Sequence, residues 1–231
     1  MIRMPTILGE RWLGQDFEFI DAVAHTGNGV VDLWEASPVR LGSNEANTGE
    51  VIDLLFPGNP LLCCGWNRHR FETRPRTQWY KLQNLQFIVP SPMTARRGFT
   101  QQHKISGHAL SNTGPRRFLI VEFDFEASNS AEEARLLERL AIEGRDVRDL
   151  CAALLLHLAE KAPLSLAVHS GQKSLHGWFY CAGVPEEQLW GFFQYAVLLG
   201  ADRANWIAFS ASVSMPRILT TNSGRFRASL P

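Results

Sequence analysis

Glu122 and Asp124 stand two apart in Phe118-Leu-Ile-Val-Glu-Phe-Asp-Phe125. Alternate residues of a strand share a face, so both carboxylates project to one side and Val121, Phe123 and Phe125 to the other. Two such acids repel one another unless a cation lies between them. Mg²⁺ or Mn²⁺ takes oxygen ligands of this kind, often together with substrate phosphates. A half-exposed strand alternates in the same way with no metal at all, so the pair alone leaves both readings open. Glu126 shares the face farther along and reads as solvent-exposed.

A second group lies in Val168-His-Ser-Gly-Gln-Lys-Ser-Leu-His-Gly-Trp178. A Ser-Gly turn presents backbone N–H groups that can cradle phosphate. Ser170 adds a hydroxyl, Lys173 a charge, and His176 on the returning strand can reach a bound phosphate. The string is not a Walker loop, which needs G-x-x-x-x-G-K-[ST] before a helix. A lone histidine such as His169 or His176 also suits a hydrogen-bonded structural role. The third element is Asp202 in Leu199-Gly-Ala-Asp202, which would bring a third carboxylate to the same metals and by itself also reads as an ordinary helix-terminal aspartate. Cys63, Cys64, His69, His103 and His108 make a weak zinc set, because no C-x-x-C is present. Burial of the cysteines in a core strand is the stronger reading. No nucleophile elbow or Ser-His-Asp order occurs.

The elements that must position these groups are readable in outline. Residues 16–24 and 47–56 suit short helices, and Pro57-Gly58-Asn59-Pro60 a turn. Leu61–Gly65 and Leu85–Val89 read as strands, and 94–116 as a long surface loop or hairpin. Phe118–Phe125 is a strong strand. Ser128 or Ser130 caps a helix from about Ala131, and Asp146 or Asp149 opens another. Leu164–His169 and Leu175–Cys181 pair around the Ser-Gly turn. Pro185 and Glu186 open a helix to about Leu199, and Ile207–Val213 is a last strand. The pattern predicts an α+β fold with a mainly antiparallel sheet.

The chain has 231 residues, 45% of them hydrophobic and 20% charged, which excludes disorder and admits a real core. No apolar run reaches membrane-spanning length. The start lacks the look of a signal peptide, and four cysteines, two adjacent, do not form a disulfide framework. The expected compartment is the cytoplasm, with no membrane partner. The zero net charge hides a strong asymmetry. Residues 66–117 carry ten basic side chains and one acid, Glu72, whereas 118–202 carry six basic and thirteen acidic ones. That segment also holds Trp66, Phe71, Trp79, Tyr80, Phe87 and Phe99. Cations that track phosphates, mixed with rings that stack on bases, suit single-stranded nucleic acid. A solvated basic surface over core aromatics is the plain alternative.

The order of the three motifs is more specific than any one of them. An acidic pair on a strand, then Ser-Gly-x-Lys-Ser-x-His, then a lone acid after a helix resembles the catalytic domain of primase–polymerases of the archaeo-eukaryotic primase superfamily. Phe56-Pro-Gly-Asn-Pro-Leu-Leu-Cys63, Phe87-Ile-Val-Pro-Ser-Pro-Met93 and Arg116-Arg-Phe-Leu-Ile-Val-Glu122 resemble strings in bacterial and mobile-element members. The likeness runs from about Val30 to the C-terminus. It implies one catalytic domain over 1–231, with an N-terminal α/β lobe (1–115) packed on an RRM-like catalytic lobe (116–231). It implies template-directed nucleotidyl transfer with Mg²⁺ or Mn²⁺ on Glu122, Asp124 and Asp202. Nucleoside triphosphate would lie on Ser170, Lys173, His176 and Arg217. Ser214 stands where relatives often have arginine before Met-Pro, and Arg217 is the candidate substitute. Template or primer–template DNA would lie on Arg68, Arg70, Arg74, Arg76, Arg96 and Arg97, with a helicase or accessory domain as a further partner. A non-catalytic single-stranded nucleic-acid-binding module of the same fold, and a metal-dependent phosphodiesterase using the same carboxylates, are the alternatives.

Overall fold

The structure is a computed structural model that describes residues 12–37, 48–169, 174–207 and 213–214. Short polar side chains cap three of the described helices. The Asp16 carboxylate accepts the Phe19 N–H at 3.0 Å and opens α1 (Phe17–Ala24). α2 (Val30–Glu35) begins after Gly29, and the Val30 N–H donates to Asp149 at 3.1 Å. The sequence pattern does not announce α2, because six residues are too few to show a helical period. α3 (Thr48–Leu55) turns Val51, Ile52 and Leu55 inward.

Three strands follow: β1 (Leu61–Asn67), β2 (Arg70–Pro75) and β3 (Phe87–Ile88). The segment 94–116 contains a small antiparallel hairpin of β4 (Gly98–Phe99) and β5 (Ile105–Ser106). β6 (Phe118–Phe123) stops two residues short of the expected Phe125. The Ser130 hydroxyl accepts the Glu133 N–H at 3.1 Å and caps α4 (Ala131–Ile142). Asp146 and Asp149 cap α5 (Val147–Ala159) reciprocally. Then come β7 (Leu164–His169), β8 (Leu175–Tyr180), α6 (Glu186–Leu198), α7 (Ala204–Ile207) and β9 (Val213–Ser214). Of the strand expected over Ile207–Val213, Ile207 ends α7, 208–212 lie outside the described residues and Val213 belongs to β9. Asp202 accepts the Ala204 N–H through its side chain at 2.9 Å, and that local bond starts a helical turn instead.

The fold is α+β with antiparallel sheets. One sheet has the order β2-β1-β3-β9, so the chain returns at β9 to the sheet made by its first half. The other has the order β6-β8-β7, and both pairings are antiparallel, which leaves β6 and β7 parallel to each other. Pleating gives this second sheet two buried faces. Leu119, Val121, Phe123, Ala167, Leu175 and Phe179 pack with residues of α1, α2, α4, α5 and α6. Phe118, Ile120, Leu166, Val168 and Trp178 pack on the other side against α3, β1, Trp79 and Ile88. The sheet is thus sandwiched between a helical layer and the first half of the chain. Among the described residues no helix is long and apolar enough to cross a membrane.

Candidate active site at the edge of the sandwiched sheet

Register brings the first two motifs together. Glu122 on β6 lies directly opposite His176 on β8, and His176 lies opposite Val168 on β7. Glu122 and His176 belong to the same sheet face as Ile120 and Trp178, the face that looks toward the first half of the chain. His176 Nε2 donates to Glu122 Oε1 at 2.9 Å. The histidine is 5% exposed, and its Nδ1 has no hydrogen-bond partner among the described residues. Ser174 Oγ lies 3.5 Å from His176 Nε2.

The third motif arrives through a helix end. Gly200 has φ +96, the left-handed conformation that glycine adopts at low cost. Its N–H donates to Val197 O at 2.9 Å, and the Ala201 N–H donates to Ala196 O at 2.9 Å. These two bonds form a Schellman motif, which satisfies the last carbonyls of α6 and reverses the chain. Ala201 then bridges Phe123, and the Asp202 N–H donates to the Glu122 carbonyl at 3.0 Å. One turn later Asn205 Nδ2 donates to Glu122 Oε2 at 3.3 Å. Trp206 holds this segment down. Its ring lies 4.9 Å from Trp190 and 5.5 Å from Phe193, and the Arg116 guanidinium lies 4.6 Å from its centroid.

Opposing forces set the charge of Glu122. Burial pushes its carboxyl up. The hydrogen bond and charge of His176, with hydrogen bonds from Asn205 and Ser174, outweigh that and hold it below the ordinary value. Asp124, just past the end of β6, is exposed. The loop that carries it is fixed from behind, because the buried Glu133 carboxylate accepts the Glu126 N–H and Asn129 Nδ2, both at 2.9 Å. Burial pushes Glu133 up, against the Asn129 hydrogen bond. Glu126, expected to be solvated, is half-buried, and its carboxylate accepts the Ser128 hydroxyl at 3.0 Å. Asp202 is exposed.

Glu122 and His176 therefore meet through their side chains, Asp202 joins Glu122 through its backbone, and Asp124 flanks them in sequence. Ser170, Lys173 and Arg217 lie outside the described residues. Asn205 and Ser174 complete the site and were not singled out from the sequence. Ser174 was legible in principle, since it is two residues from His176 in an extended segment. Asn205 was not, because only the turn after Gly200 brings it to Glu122. Among the described residues no three His, Cys, Asp or Glu side chains are gathered to hold a metal. The donors still suit a hard cation: Mg²⁺ is commonly bound by one or two carboxylates and completed by substrate phosphates and water. The cysteine–histidine set does not gather. Cys63 and Cys64 are buried in β1, and burial pushes the Cys63 thiol up to about 11 and Cys64 well above its ordinary value. His108 is stacked on Phe71 at 4.5 Å, and His69 and His103 are exposed.

The six arginines divide. Arg76 is 16% exposed at its side chain, pairs with Asp53 at 2.7 Å and donates to the Trp79 carbonyl. Arg74 pairs with Glu72 and lies 5.0 Å from the Trp79 ring centroid. Both brace the first sheet. Arg68, Arg70, Arg96 and Arg97 are exposed, with Arg70 over the Trp66 ring at 4.6 Å. Compared with known proteins, the chain matches no family model, no curated protein and no solved structure.

Proposed function

We propose that this chain is a primase–polymerase-type nucleotidyltransferase that joins nucleotides to a primer 3′-hydroxyl on a DNA template. The observation that carries this reading is the meeting of three separated motifs at one sheet edge. Glu122 contacts His176 at 2.9 Å, and Asp202 is stitched to the Glu122 backbone at 3.0 Å. Chance alternation in a strand accounts for Glu122 and Asp124, but not for a histidine 54 residues on reaching the Glu122 carboxylate and an acid 80 residues on reaching its backbone. The lobe topology supports the same reading. The run β6, helices, β7, β8, α6 and the sheet order β6-β8-β7 are what the first three strands of an RRM-like β-α-β-β-α-β plan would give. The Phe123–Ala201 bridge occupies the edge where a fourth strand of that plan belongs.

In this reading Glu122, Asp124 and Asp202 hold Mg²⁺ or Mn²⁺, which when bound supplies activation of the 3′-hydroxyl and charge neutralisation at the leaving pyrophosphate. Ser170, Lys173, His176 and Arg217 take the triphosphate. The chain's own contribution is alignment and fixed charge at a partly buried site. Asn205 and His176 orient the Glu122 carboxylate, and the cap at Gly200 sets the position of Asp202.

The test is a labelled primer–template incubated with nucleoside triphosphates and Mn²⁺. Primer extension is the expected result. Shortening of the primer without any need for nucleotides would instead indicate a phosphodiesterase. Binding with neither reaction would indicate a non-catalytic module.

A further inference from the structure

The hairpin of β4 and β5 is anchored firmly at its base, yet it carries its apolar side chains on the outside. Phe99 and Ile105 are direct cross-strand partners, so they share a face, and they are 60% and 65% exposed. The Phe99 backbone is pinned on both sides: its N–H donates to the Ser111 hydroxyl at 2.7 Å, and that hydroxyl donates to its carbonyl at 2.9 Å. Asn112, 1% exposed, donates to Ala95 O at 3.0 Å and Gly107 O at 3.1 Å. The Thr73 hydroxyl donates to Gly107 O at 2.6 Å and ties the hairpin to β2.

Single exposed apolar residues are common and need no explanation. Here two of them lie side by side on a fixed backbone, and cations flank them in the sequence. Arg96, Arg97 and Lys104 are all exposed, and the sequence contains no acid between Glu72 and Glu122. Glu72 itself is paired with Arg74. Arg96 also reaches Gln78 at 3.5 Å, two residues from Tyr80, which is 85% exposed. A ligand that complements this surface must be a polyanion with flat apolar faces.

We infer that the 98–106 hairpin is a stacking platform for single-stranded nucleic acid: a base rests on the Phe99 ring, and Arg96, Arg97 and Lys104 take the adjoining phosphates. The platform needs no metal and no nucleotide, so it stands whether or not the Glu122 site transfers nucleotides. Holding the ring in place beforehand removes part of the ordering cost of binding. Stacking on one ring tolerates any base, so the platform confers affinity without strong sequence preference.

The experiment titrates the full chain into a fluorescent oligothymidylate of about 20 nucleotides, long enough to cover a typical site. Phe99→Ala should weaken binding about tenfold at low salt, within the range one stacked base supplies. Phe99→Trp should bind within about twofold of the wild type, and its added emission should change on binding. Reversal of Arg96 and Arg97 to glutamate should flatten the slope of log affinity against log salt by about 0.7 for each lost contact. Wild-type affinity in Phe99→Ala with its fold intact by circular dichroism would overturn the inference. So would binding to anionic phospholipid vesicles that depends on Phe99 while oligonucleotide binding does not.

Discussion

Glu122 is held as an anion by neighbours from two other parts of the chain. His176 comes from the adjacent strand and Asn205 from the turn after α6. Its carboxyl is below its ordinary value when folded, so the group stabilises the fold fully above the unfolded value of about 4.5. That contribution is lost as pH falls through the lower folded value. Glu122→Gln keeps the shape and removes the charge. The variant should be less stable than the wild type by about 1 kcal/mol at neutral pH, the difference between a charged and a neutral hydrogen bond. The gap should close as the pH is lowered below 4.5 in thermal denaturation experiments. Asp146, whose carboxyl is also lowered because its bonds from Arg148 outweigh burial, titrates alike in both proteins and cancels in the difference. A gap that stays constant down to pH 3 would show that His176 does not stabilise the ionised carboxylate.

At the scale of elements, one glycine decides where the motifs meet. Gly200 has a positive φ, and a Cβ there would lie 2.7 Å from the Phe125 ring. Gly200→Ala should therefore cost about 1–3 kcal/mol, and nucleotide incorporation should fall with it because Ala201 and Asp202 follow directly. Gly191, on an exposed stretch of α6 with nothing within 4 Å of an added Cβ, is the contrasting site. Gly191→Ala should stabilise the protein by about 0.5–1 kcal/mol in chemical denaturation. If the two substitutions behaved alike, the Schellman cap would not be what places Asp202. The strands carrying Glu122 and His176 were legible because each is a run of apolar and aromatic residues bounded by turn signals. Their exact pairing was not, since sequence alone does not fix the register across a long helical insertion. The end of β6 and the helical state of Ile207 were misjudged for one reason. Local side-chain bonds, from Glu133 to the Glu126 N–H and from Asp202 to the Ala204 N–H, override strand propensity there.

For the whole molecule, the uneven charge along the chain was visible by counting, but its fate on folding was not. Arg76 reaches back to Asp53, 23 residues away, and Arg74 turns to Glu72. Arg68, Arg70, Arg96 and Arg97 stay exposed, which leaves segment 66–117 basic beside the acidic segment 118–202. The sandwiched sheet joins the two, with α3 and Trp79 against the face that ends in Glu122 and His176. In the proposed reading, a polyanion held on the basic segment is presented to carboxylates of the acidic one. Such an arrangement separates binding from chemistry, and the separation can be measured. The most direct test compares the wild type with Asp124→Ala in one primer–template preparation, recording oligonucleotide affinity and Mn²⁺-dependent nucleotide incorporation side by side. The exposed Asp124 carboxylate lies outside the hydrogen bonds of the fold described above, so the variant should fold and bind DNA within about twofold of the wild type. Its incorporation should fall by about a thousandfold or more, as expected when a metal-holding carboxylate is removed from a phosphoryl-transfer site. Incorporation that persisted at the wild-type rate in Asp124→Ala would contradict the account.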